Sequence, residues 1–508
     1  MVCLFAVLSG FQMGSMTAVA EELITDHRTR RIIINDDGGV RLPEDGKDWD
    51  RYLGERLRLA AGTQADSYFQ CVAATSHEPE YLPGLVSTMS HWAANKKTPA
   101  IYDEATRRLI DAARQTGLEV FASVRLNDTH DRGKANVEAL TYPLKNKRPD
   151  LLLGNADSME RGAAAYPQDS VMHWFWPGLN WGQAEVRQHF LDFIRWFCSR
   201  QDFDGLELDY YRHPLFFRLG EEEQHTPAMT EFVRQVRETL SEIGRQRSRP
   251  YLLAIRVPDT PAIARRSGLD VETWLREGLI DLLIVGGGYM PYSGRLKEFV
   301  DLAHEHKVDA YPCVNHCRGP VKMRGLASNF QALGGDGFYL FNFTRVTGRA
   351  VVPEWGIADM ISLHEIGSAE TLHGKEKTFL ADTGERRFYI GYSNLESQFP
   401  VSILGGRAAE LFVGDDVGEA EKDGSLKELR LEVSVAGVAP GEQIAIKLNG
   451  VAVPPKSITR AGETEFKAFP AAALVRRGVN DVSFAPGIDS PGHLDSQVTG
   501  LKLVVQYK

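Results

Sequence analysis

The 508-residue chain lacks several features that mark large classes of protein. No stretch approaches the ~20 consecutive apolar residues that a helix needs to cross a bilayer, so the sequence predicts no membrane span. Acidic residues outnumber basic ones by 68 to 58, for a net charge of −10, and binding to nucleic acid through phosphate neutralisation is therefore not expected. Five cysteines are too few for a disulfide-stapled scaffold. Hydrophobic residues make up 43% and charged residues 25%, a balance typical of a globular protein.

Recognition patterns for cofactors and metals are also missing. The glycines at 286–288 lack the G-x-G-x-x-G spacing of a dinucleotide site, and we expect them to let a sugar or Tyr289 approach the backbone. Cys313, His316 and Cys317 lie together, but no second cysteine pair follows as a zinc site would require. A local disulfide or two free thiols are the expected states, and neither a cofactor nor a metal is predicted.

Residues 1–20 carry no charged side chain and end in Ala18-Val19-Ala20 before Glu21. An apolar run followed by an A-x-A site is typical of a secretory signal peptide, although the usual basic segment at its start is missing. We therefore expect export, to the periplasm or the medium. A disordered N-terminal tail is the alternative.

Short apolar runs alternate with helical patterns from Ile32 to about Ile361. The helical patterns repeat every 3.6 residues, as in Val186, Phe190 and Phe193. Such strand–helix alternation over roughly 330 residues is typical of the (β/α)₈ or TIM barrel. The sequence therefore predicts this α/β fold over residues 30–367, with candidate strands at 32–35, 66–71, 119–124, 205–208, 252–256, 282–285, 310–314 and 337–341.

The interval between the third and fourth strands is unusually long, at about 127–182. Long insertions after the strands of this fold lie on its catalytic face. The interval contains His173, Trp174, Trp176 and Trp181, so we interpret it as one wall of a substrate cleft. An accessory subdomain that packs the tryptophans internally is the alternative.

The pattern changes after about Ser368, where residues alternate between polar and apolar at 429–435 and 444–448. Asn449-Gly450 supplies a hairpin turn signal. Residues 368–508 are therefore predicted to form an antiparallel β-sandwich. This segment contains no tryptophan, and its expected role is structural.

The fourth predicted strand carries two acidic residues. Strand alternation places Leu206 and Leu208 on one face, and Glu207 and Asp209 on the other. Because the leucines suit the helix-facing side, we expect both acids to face the barrel interior near its C-terminal mouth, where active sites of this fold are built. Their Cβ atoms would be ~6.5 Å apart, so the two groups should not ionise independently.

Glycosidic bond cleavage requires one protonated carboxyl group and one ionised group as base or nucleophile. We predict Glu207 as the acid and Asp209 as the nucleophile or base. Two other interpretations remain open. Barrel arginines can neutralise both acids in a purely structural role, or one acid of the pair acts with a partner from another strand.

The run DGLELDYYRHP at 204–214, preceded by the helix that opens with Glu185-Val186-Arg187, resembles the family-10-like glycosyl hydrolases. Asn35-Asp36-Asp37-Gly38 and the segment 337–342 fit the family's pattern at the first and eighth strands, so that the resemblance spans most of 31–355. It implies a (β/α)₈ hydrolase that acts on glycans and is often exported. Glu207 departs from the pattern, since many relatives carry a neutral or aromatic residue there.

Further polar and aromatic residues lie at or near the ends of the predicted strands and are expected to converge on one rim. We predict that these residues bind substrate: Asp36, Arg125, Asn127, Trp176, Tyr211, Arg212, His213, Arg256, Tyr289, Asn315 and Asn342. Arg125 and Arg256, with Arg212 nearby, are suited to clamping a carboxylate or sulfate, which raises the hypothesis of an anionic sugar. Alternatively, Arg125 and Arg256 pair with Glu207 and Asp209 inside the barrel.

The sequence therefore predicts an exported glycoside hydrolase whose partner is a polysaccharide or oligosaccharide, with insertion tryptophans stacking on sugar rings. A non-catalytic glycan-binding protein on the same scaffold is one alternative. A polysaccharide lyase, in which arginine and tyrosine eliminate from uronic acids, is a second. A structural surface protein is a third, and the predicted acid pair disfavours it.

Overall fold

The computed structural model describes residues 28–38, 42, 48–58, 60–76, 85–287, 294–315, 319–347, 350–353, 357–382, 392, 395–405, 407–487, 490, 492 and 495–508. Several predictions fall outside these residues: the export segment at 1–20, the substrate-binding role of Tyr289, and the states of His316 and Cys317.

Parallel strands close into a barrel in the N-terminal part of the chain. Each strand pairs with the next, and the eighth pairs with the first, so no edge is left open. The strands are β1 (Ile32–Asp36), β2 (Ala65–Ala73), β3 (Glu119–Arg125), β4 (Gly205–Asp209), β5 (Leu252–Val257), β6 (Leu282–Val285), β7 (Asp309–Val314) and β8 (Phe338–Thr347). All eight candidate strands coincide with these elements, and the predicted barrel is confirmed. A short strand, β9 (Ala350–Pro353), pairs antiparallel with β8.

Helices surround the barrel and turn their apolar faces towards it. The periodic residues Val186, Phe190 and Phe193 are all buried, as the 3.6-residue repeat predicted. The helices are α1 (Trp49–Leu57), α2 (Thr88–Asn95), α3 (Ala100–Gln115), α4 (Pro143–Lys147), α5 (Ala156–Arg161), α6 (Val171–Phe175), α7 (Ala184–Cys198), α8 (Glu222–Gln246), α9 (Pro261–Arg266), α10 (Val271–Arg276), α11 (Lys297–Glu305), α12 (Pro320–Ala332), α13 (Ile357–Ser362), α14 (Ala369–Leu372) and α15 (Val417–Lys422). None of those in the described ranges is both long and apolar enough to span a bilayer.

The two faces of the barrel strands bury different clusters. Leu206 and Leu208 of β4 belong to the large core that includes the surrounding helices. A separate cluster inside the barrel contains strand residues such as Phe121. Gly205 faces this inner cluster, because a Cβ built on it would lie 2.1 Å from the Phe121 ring. By strand alternation, Glu207 and Asp209 face inward as well.

The C-terminal part forms two antiparallel sheets around a shared apolar core, which confirms the predicted sandwich. Asn449 and Gly450 turn the hairpin between two of its strands with φ of 52° and 82°, as the Asn-Gly signal predicted. The strands are β10 (Lys377–Asp382), β11 (Val401–Ser402), β12 (Ala409–Val413), β13 (Leu426–Ala436), β14 (Ile444–Leu448), β15 (Val451–Ala452), β16 (Ile458–Arg460), β17 (Glu465–Ala468), β18 (Gly478–Pro486) and β19 (Gln497–Tyr507).

Candidate active site

The acid pair lies at two depths of the barrel. In the strand register, Asp209 is aligned with Arg125 on β3 and Arg256 on β5, at the carboxyl end of β4. Glu207 is aligned with Ser123 and Ala254, one step further from the mouth. The two acids therefore do not occupy equivalent positions, although they share a strand face.

Asp209 is held by two donors. Its Oδ2 accepts a hydrogen bond from Nη1 of Arg256 at 3.0 Å, and its Oδ1 accepts one from the backbone N–H of Tyr211 at 2.9 Å. The Arg256 guanidinium also lies 3.7 Å from the centroid of the Phe341 ring. Asp209 is 1% exposed and Arg256 is fully buried. The ion pair between Arg256 and Asp209 therefore agrees with the alternative interpretation, in which a barrel arginine neutralises an acid of the pair.

Glu207 has a different environment. It is 0% exposed, and neither carboxyl oxygen has a hydrogen-bond partner in the described part of the chain. Burial and the nearby charge of Asp209 raise the pKa of Glu207 to about 7, while the polar groups of Ser123, Tyr339 and Arg256 act in the opposite direction. Glu207 thus carries a proton for much of the time near neutral pH.

The ring of Tyr211 lies beside the Asp209–Arg256 pair. Its centroid is 5.3 Å from Cζ of Arg256, and the side chain is fully buried. The backbone of Gly287 lies against the same ring, because a Cβ on Gly287 would be 1.8 Å from it. The space that we expected a sugar or Tyr289 to use at this glycine is filled by Tyr211.

Arg125 is buried in a separate network of charges. It donates hydrogen bonds to Asp37 and to Oδ1 of Asn342, the latter at 3.3 Å, and its Nη1 lies 3.5 Å from Oδ2 of Asp128. Asp37 is the more accessible acid here, with its side chain 26% exposed. Since Arg125 pairs with Asp37 and Arg256 pairs with Asp209, neither arginine is a vacant clamp for an anionic sugar. Arg125 does not pair with Glu207 or Asp209 either.

Two histidines and an aspartate cluster next to this network. Nδ1 of His130 lies 2.6 Å from Oδ1 of Asp128, while Nε2 of the same ring accepts from Nη2 of Arg212 at 2.6 Å. Nδ1 of His213 accepts the backbone N–H of Thr129 at 3.1 Å. The ligand-type atoms of Asp128, His130 and His213 all lie within 4.8 Å of one another.

The spacing within this cluster would suit a metal ion, but the described contacts use its nitrogen atoms in hydrogen bonds. Sequence reasoning included His213 and missed the contributions of Asp128 and His130. The available signal was the position of Asp128 and His130 directly after β3, on the same side of the barrel as residues that follow β4.

Three residues predicted to bind substrate have other partners. Asp36 pairs with Arg56 of α1 and accepts from the hydroxyl of Tyr68. Nδ2 of Asn127 donates to the backbone carbonyls of Leu179 and Leu215, and its Oδ1 accepts from the N–H of Leu179.

Trp176, the third, is fully buried and donates from Nε1 to the carbonyl of Arg132. Trp181 is buried as well, packed on Phe190 with ring centroids 4.6 Å apart. The burial of Trp176 and Trp181 agrees with the alternative interpretation, in which the insertion packs its tryptophans internally. Trp174, by contrast, is partly exposed.

The remaining candidates lie on the seventh and eighth strands of the barrel or directly after them. Asn315 directly follows β7 and is nearly buried. Asn342 lies within β8 in a left-handed backbone conformation (φ 49°), and its N–H donates to Oδ1 of Asn35. Cys313 is a free thiol in the inner barrel cluster.

The fold and site define a barrel protein with a buried, inward-facing carboxyl pair. No protein-family profile matches the chain, and no curated protein sequence matches it.

Several solved structures are weakly similar to this chain. The PgaB (BpsB) glycoside hydrolase domain from Bordetella bronchiseptica is 12% identical, with 67% of this chain and 99% of that one covered, at a TM-score of 0.40. An α-amylase from Malbranchea cinnamomea is 12% identical, with 90% and 96% covered, at 0.39.

A GH138 enzyme targeting pectin rhamnogalacturonan II is 8% identical, with 67% of this chain covered, at a TM-score of 0.39. The match spans only 39% of that enzyme's own length. We draw no functional conclusion from likenesses of this size, and they do not place the chain in the family-10-like group that its motifs resemble.

Proposed function

We propose that the protein hydrolyses glycosidic bonds at the carboxyl end of its barrel, with Asp209 and Glu207 as the acting carboxyl groups. The observation that carries the proposal is the contrast between the two environments. Asp209 is ion-paired with Arg256, whereas Glu207 has its pKa raised to about 7 by burial and by the charge of Asp209. Two carboxyl groups held in different protonation states are what glycoside hydrolysis requires.

Each group then has a defined role. Asp209, which is ion-paired with Arg256, acts as a nucleophile or as a base that activates water. Glu207 supplies the proton that the departing glycosidic oxygen needs, and water restores the proton at the end of the cycle. Arg256 is a positioning residue for Asp209, since its Nη1 donates directly to the carboxylate.

Access to the pair requires movement at the mouth. Because Asp209 is nearly buried and Glu207 is completely buried, a sugar reaches them only when the side chains above them are displaced. The proposal assigns this movement to the Tyr211 ring, which lies beside Arg256 and against Gly287. The proposal also assigns substrate contacts to the other predicted residues on this side of the barrel: Arg125, Arg212, His213, Asn315 and Asn342.

A second candidate function is glycan binding without catalysis. The complete burial of Glu207 favours it, because a group with no exposed surface in the ground state need not ever meet a substrate. In that case the Asp209–Arg256 pair only stabilises the barrel, and glycans bind at the rim.

A screen on neutral, uronic and sulfated polysaccharides, followed by mass spectrometry of the products, tests both candidates. We expect the wild type to release hydrolysis products, and Asp209→Asn and Glu207→Gln to lower the rate by about 10²–10⁴-fold. Asp157→Asn is the matched control, because this aspartate lies on α5 with its side chain 46% exposed.

Glycan binding without any product, with Asp209→Asn binding as the wild type does, would favour the second candidate. An unsaturated product that absorbs in the ultraviolet would instead indicate elimination. Either result contradicts the proposed hydrolysis.

A further inference from the structure

Arg212 has no carboxylate partner among the described residues. Arg125 is paired with Asp37 and Arg256 with Asp209. The only polar contact of the Arg212 side chain with a described residue is the hydrogen bond from its Nη2 to the neutral nitrogen Nε2 of His130. The side chain is partly exposed, and its Nε is buried with no partner in the described ranges. A guanidinium has five N–H donors, so most of the hydrogen-bonding capacity of this one is unused.

The surroundings of Arg212 include a second guanidinium, that of Arg132, together with His213 and the carboxyl groups of Asp128 and Asp131. The pKa of Arg132 is lowered, first by burial and then by the charge of Arg212. The pKa of His213 is lowered well below its usual range by the same two causes in the same order. An anion bound beside Arg212 and Arg132 would reduce the repulsion between the two guanidinium groups.

The aromatic side chain next to this group is Trp174 of the insertion. The Arg132 guanidinium lies 4.4 Å from its ring centroid, and its indole Nε1 donates to the carbonyl of Gln168 at 3.1 Å. Unlike Trp176 and Trp181, Trp174 is only partly buried. A flat apolar surface beside a cationic group suits a sugar ring that carries an anionic substituent.

We infer that Arg212, with Arg132 and His130 beside it, forms a subsite for an anionic group, carboxylate or sulfate, on a sugar bound at the barrel mouth. The inference rests on the proposed function only in taking the ligand to be a glycan. The Nη1 amino group and the second hydrogen of Nη2 present the planar fork that two oxygens of such a group accept. This assignment replaces the sequence-based clamp of Arg125 and Arg256, both of which are already paired.

The test measures equilibrium binding of the full-length protein by calorimetry, with trigalacturonate, its carboxyl-reduced neutral counterpart and a sulfated trisaccharide as probes. We expect the wild type to bind an anionic probe about tenfold more tightly than the neutral one, and added salt to reduce that preference. Arg212→Gln should remove the preference, and Arg212→Lys should retain part of it because the charge remains without the fork. Whichever anionic probe binds more tightly identifies the group as carboxylate or sulfate.

Arg161→Gln serves as the control, since this arginine lies on α5 with its side chain 57% exposed and pairs with Asp157. Equal affinity for charged and neutral probes, or equal losses on both in Arg212→Gln, would overturn the inference. So would a charge preference that disappears with a chelator, which would reassign the site to a metal held by Asp128, His130 and His213.

Failure of the subsite is distinguishable from failure of the proposed function. A charge preference lost in Arg212→Gln without any glycan hydrolysis supports the subsite and contradicts the enzyme. Glycan hydrolysis by a wild type that binds charged and neutral probes with equal affinity supports the enzyme and contradicts the subsite.

Discussion

Glu207 and Asp209 show how two identical functional groups on one strand acquire different chemistry. The end position of Asp209 brings it level with Arg256 on the neighbouring strand, so its charge is compensated. Glu207 lies level with the methyl group of Ala254 and the hydroxyl of Ser123. Because no cation is level with it, burial is the dominant influence on its protonation.

We predict that replacing Glu207 by glutamine makes stability less dependent on pH. The raised pKa means that the folded state binds the Glu207 proton more tightly than the unfolded state does, from about pH 4.5 to about pH 7. Stability from this group is therefore complete below that window and is lost as the pH rises through it. The difference in the free energy of unfolding between Glu207→Gln and the wild type should therefore shift in favour of the variant by on the order of 3 kcal/mol from about pH 4 to about pH 8.

Urea unfolding of both proteins at the two pH values measures the difference. Asp157→Asn, which removes an exposed carboxyl group, should follow the wild type. If the free energy of unfolding changes with pH by the same amount in Glu207→Gln and in the wild type, the pKa of Glu207 is not raised in the folded protein.

The sequence was sufficient to predict the strand face on which the Glu207 and Asp209 side chains lie, but it did not predict the residues with which they pair. Strand alternation predicts which face Glu207 and Asp209 occupy, because the period of two is fixed by the backbone. Pairing depends on the register between strands. Arg125 and Arg256 both align with Asp209, yet only Arg256 bonds to it, because Arg125 turns to Asp37 and Asp128.

Among the structural elements, the insertion at about 127–182 differs most from what its sequence suggested. Its tryptophans suggested an open cleft wall, but Trp176 and Trp181 are core residues. Composition does not distinguish a stacking tryptophan from a packed one, since both need an apolar face. The three hydrogen bonds of Asn127 to Leu179 and Leu215 instead fasten the end of the insertion and the segment after β4 to the end of β3.

We predict that Asn127→Ala destabilises the protein by about 2–4 kcal/mol, because it leaves buried backbone groups of Leu179 and Leu215 without partners. Asn155→Ala is a matched control: it removes the N-cap contact to Ser158 on α5 and should cost about 1 kcal/mol. Chemical denaturation gives both values, and hydrogen exchange should accelerate in the insertion for Asn127→Ala. Equal, small effects of the two substitutions would show that Asn127 does not anchor the insertion.

For the molecule as a whole, the sandwich packs on one side of the barrel through α12. Nδ2 of Asn329 donates to the carbonyl of Phe412 at 3.2 Å, and Oγ of Ser328, also on α12, donates to Oδ1 of Asp415. Gly414 brings the two backbones together, because a Cβ on it would lie 2.3 Å from the carbonyl of Ser328. The structural role that we expect for this domain, which contains no tryptophan, stays a prediction.

We predict that Gly414→Ala lowers stability by about 1–3 kcal/mol, since the added methyl group meets backbone and one domain must shift. Gly418→Ala provides the comparison, because a Cβ built on Gly418 would lie in ordinary contact, 3.5 Å from Oδ1 of Asp416. Alanine also suits a helix better than glycine. Differential scanning calorimetry should show a lower transition for Gly414→Ala alone. If both variants melt as the wild type does, the domains do not depend on this contact.

Both domains were predictable from the sequence because each rests on a periodic pattern repeated many times along the chain. The site was only partly predictable. Some residues near strand ends are in contact, as Arg125 is with Asn342, but the roles of Asp36 and Asn127 depend on contacts with α1 and the insertion. The contribution of His130 depends on a bond to Arg212, which follows a different strand.

The most direct test of the central claim is a crystal structure of Asp209→Asn with a bound oligosaccharide that the polysaccharide screen identifies. We predict a sugar oxygen within hydrogen-bond distance of residue 209, with the Tyr211 ring displaced from its position against Gly287. A glycan bound only at the rim, with Tyr211 in place and Glu207 still buried, would contradict the proposed hydrolysis at this pair.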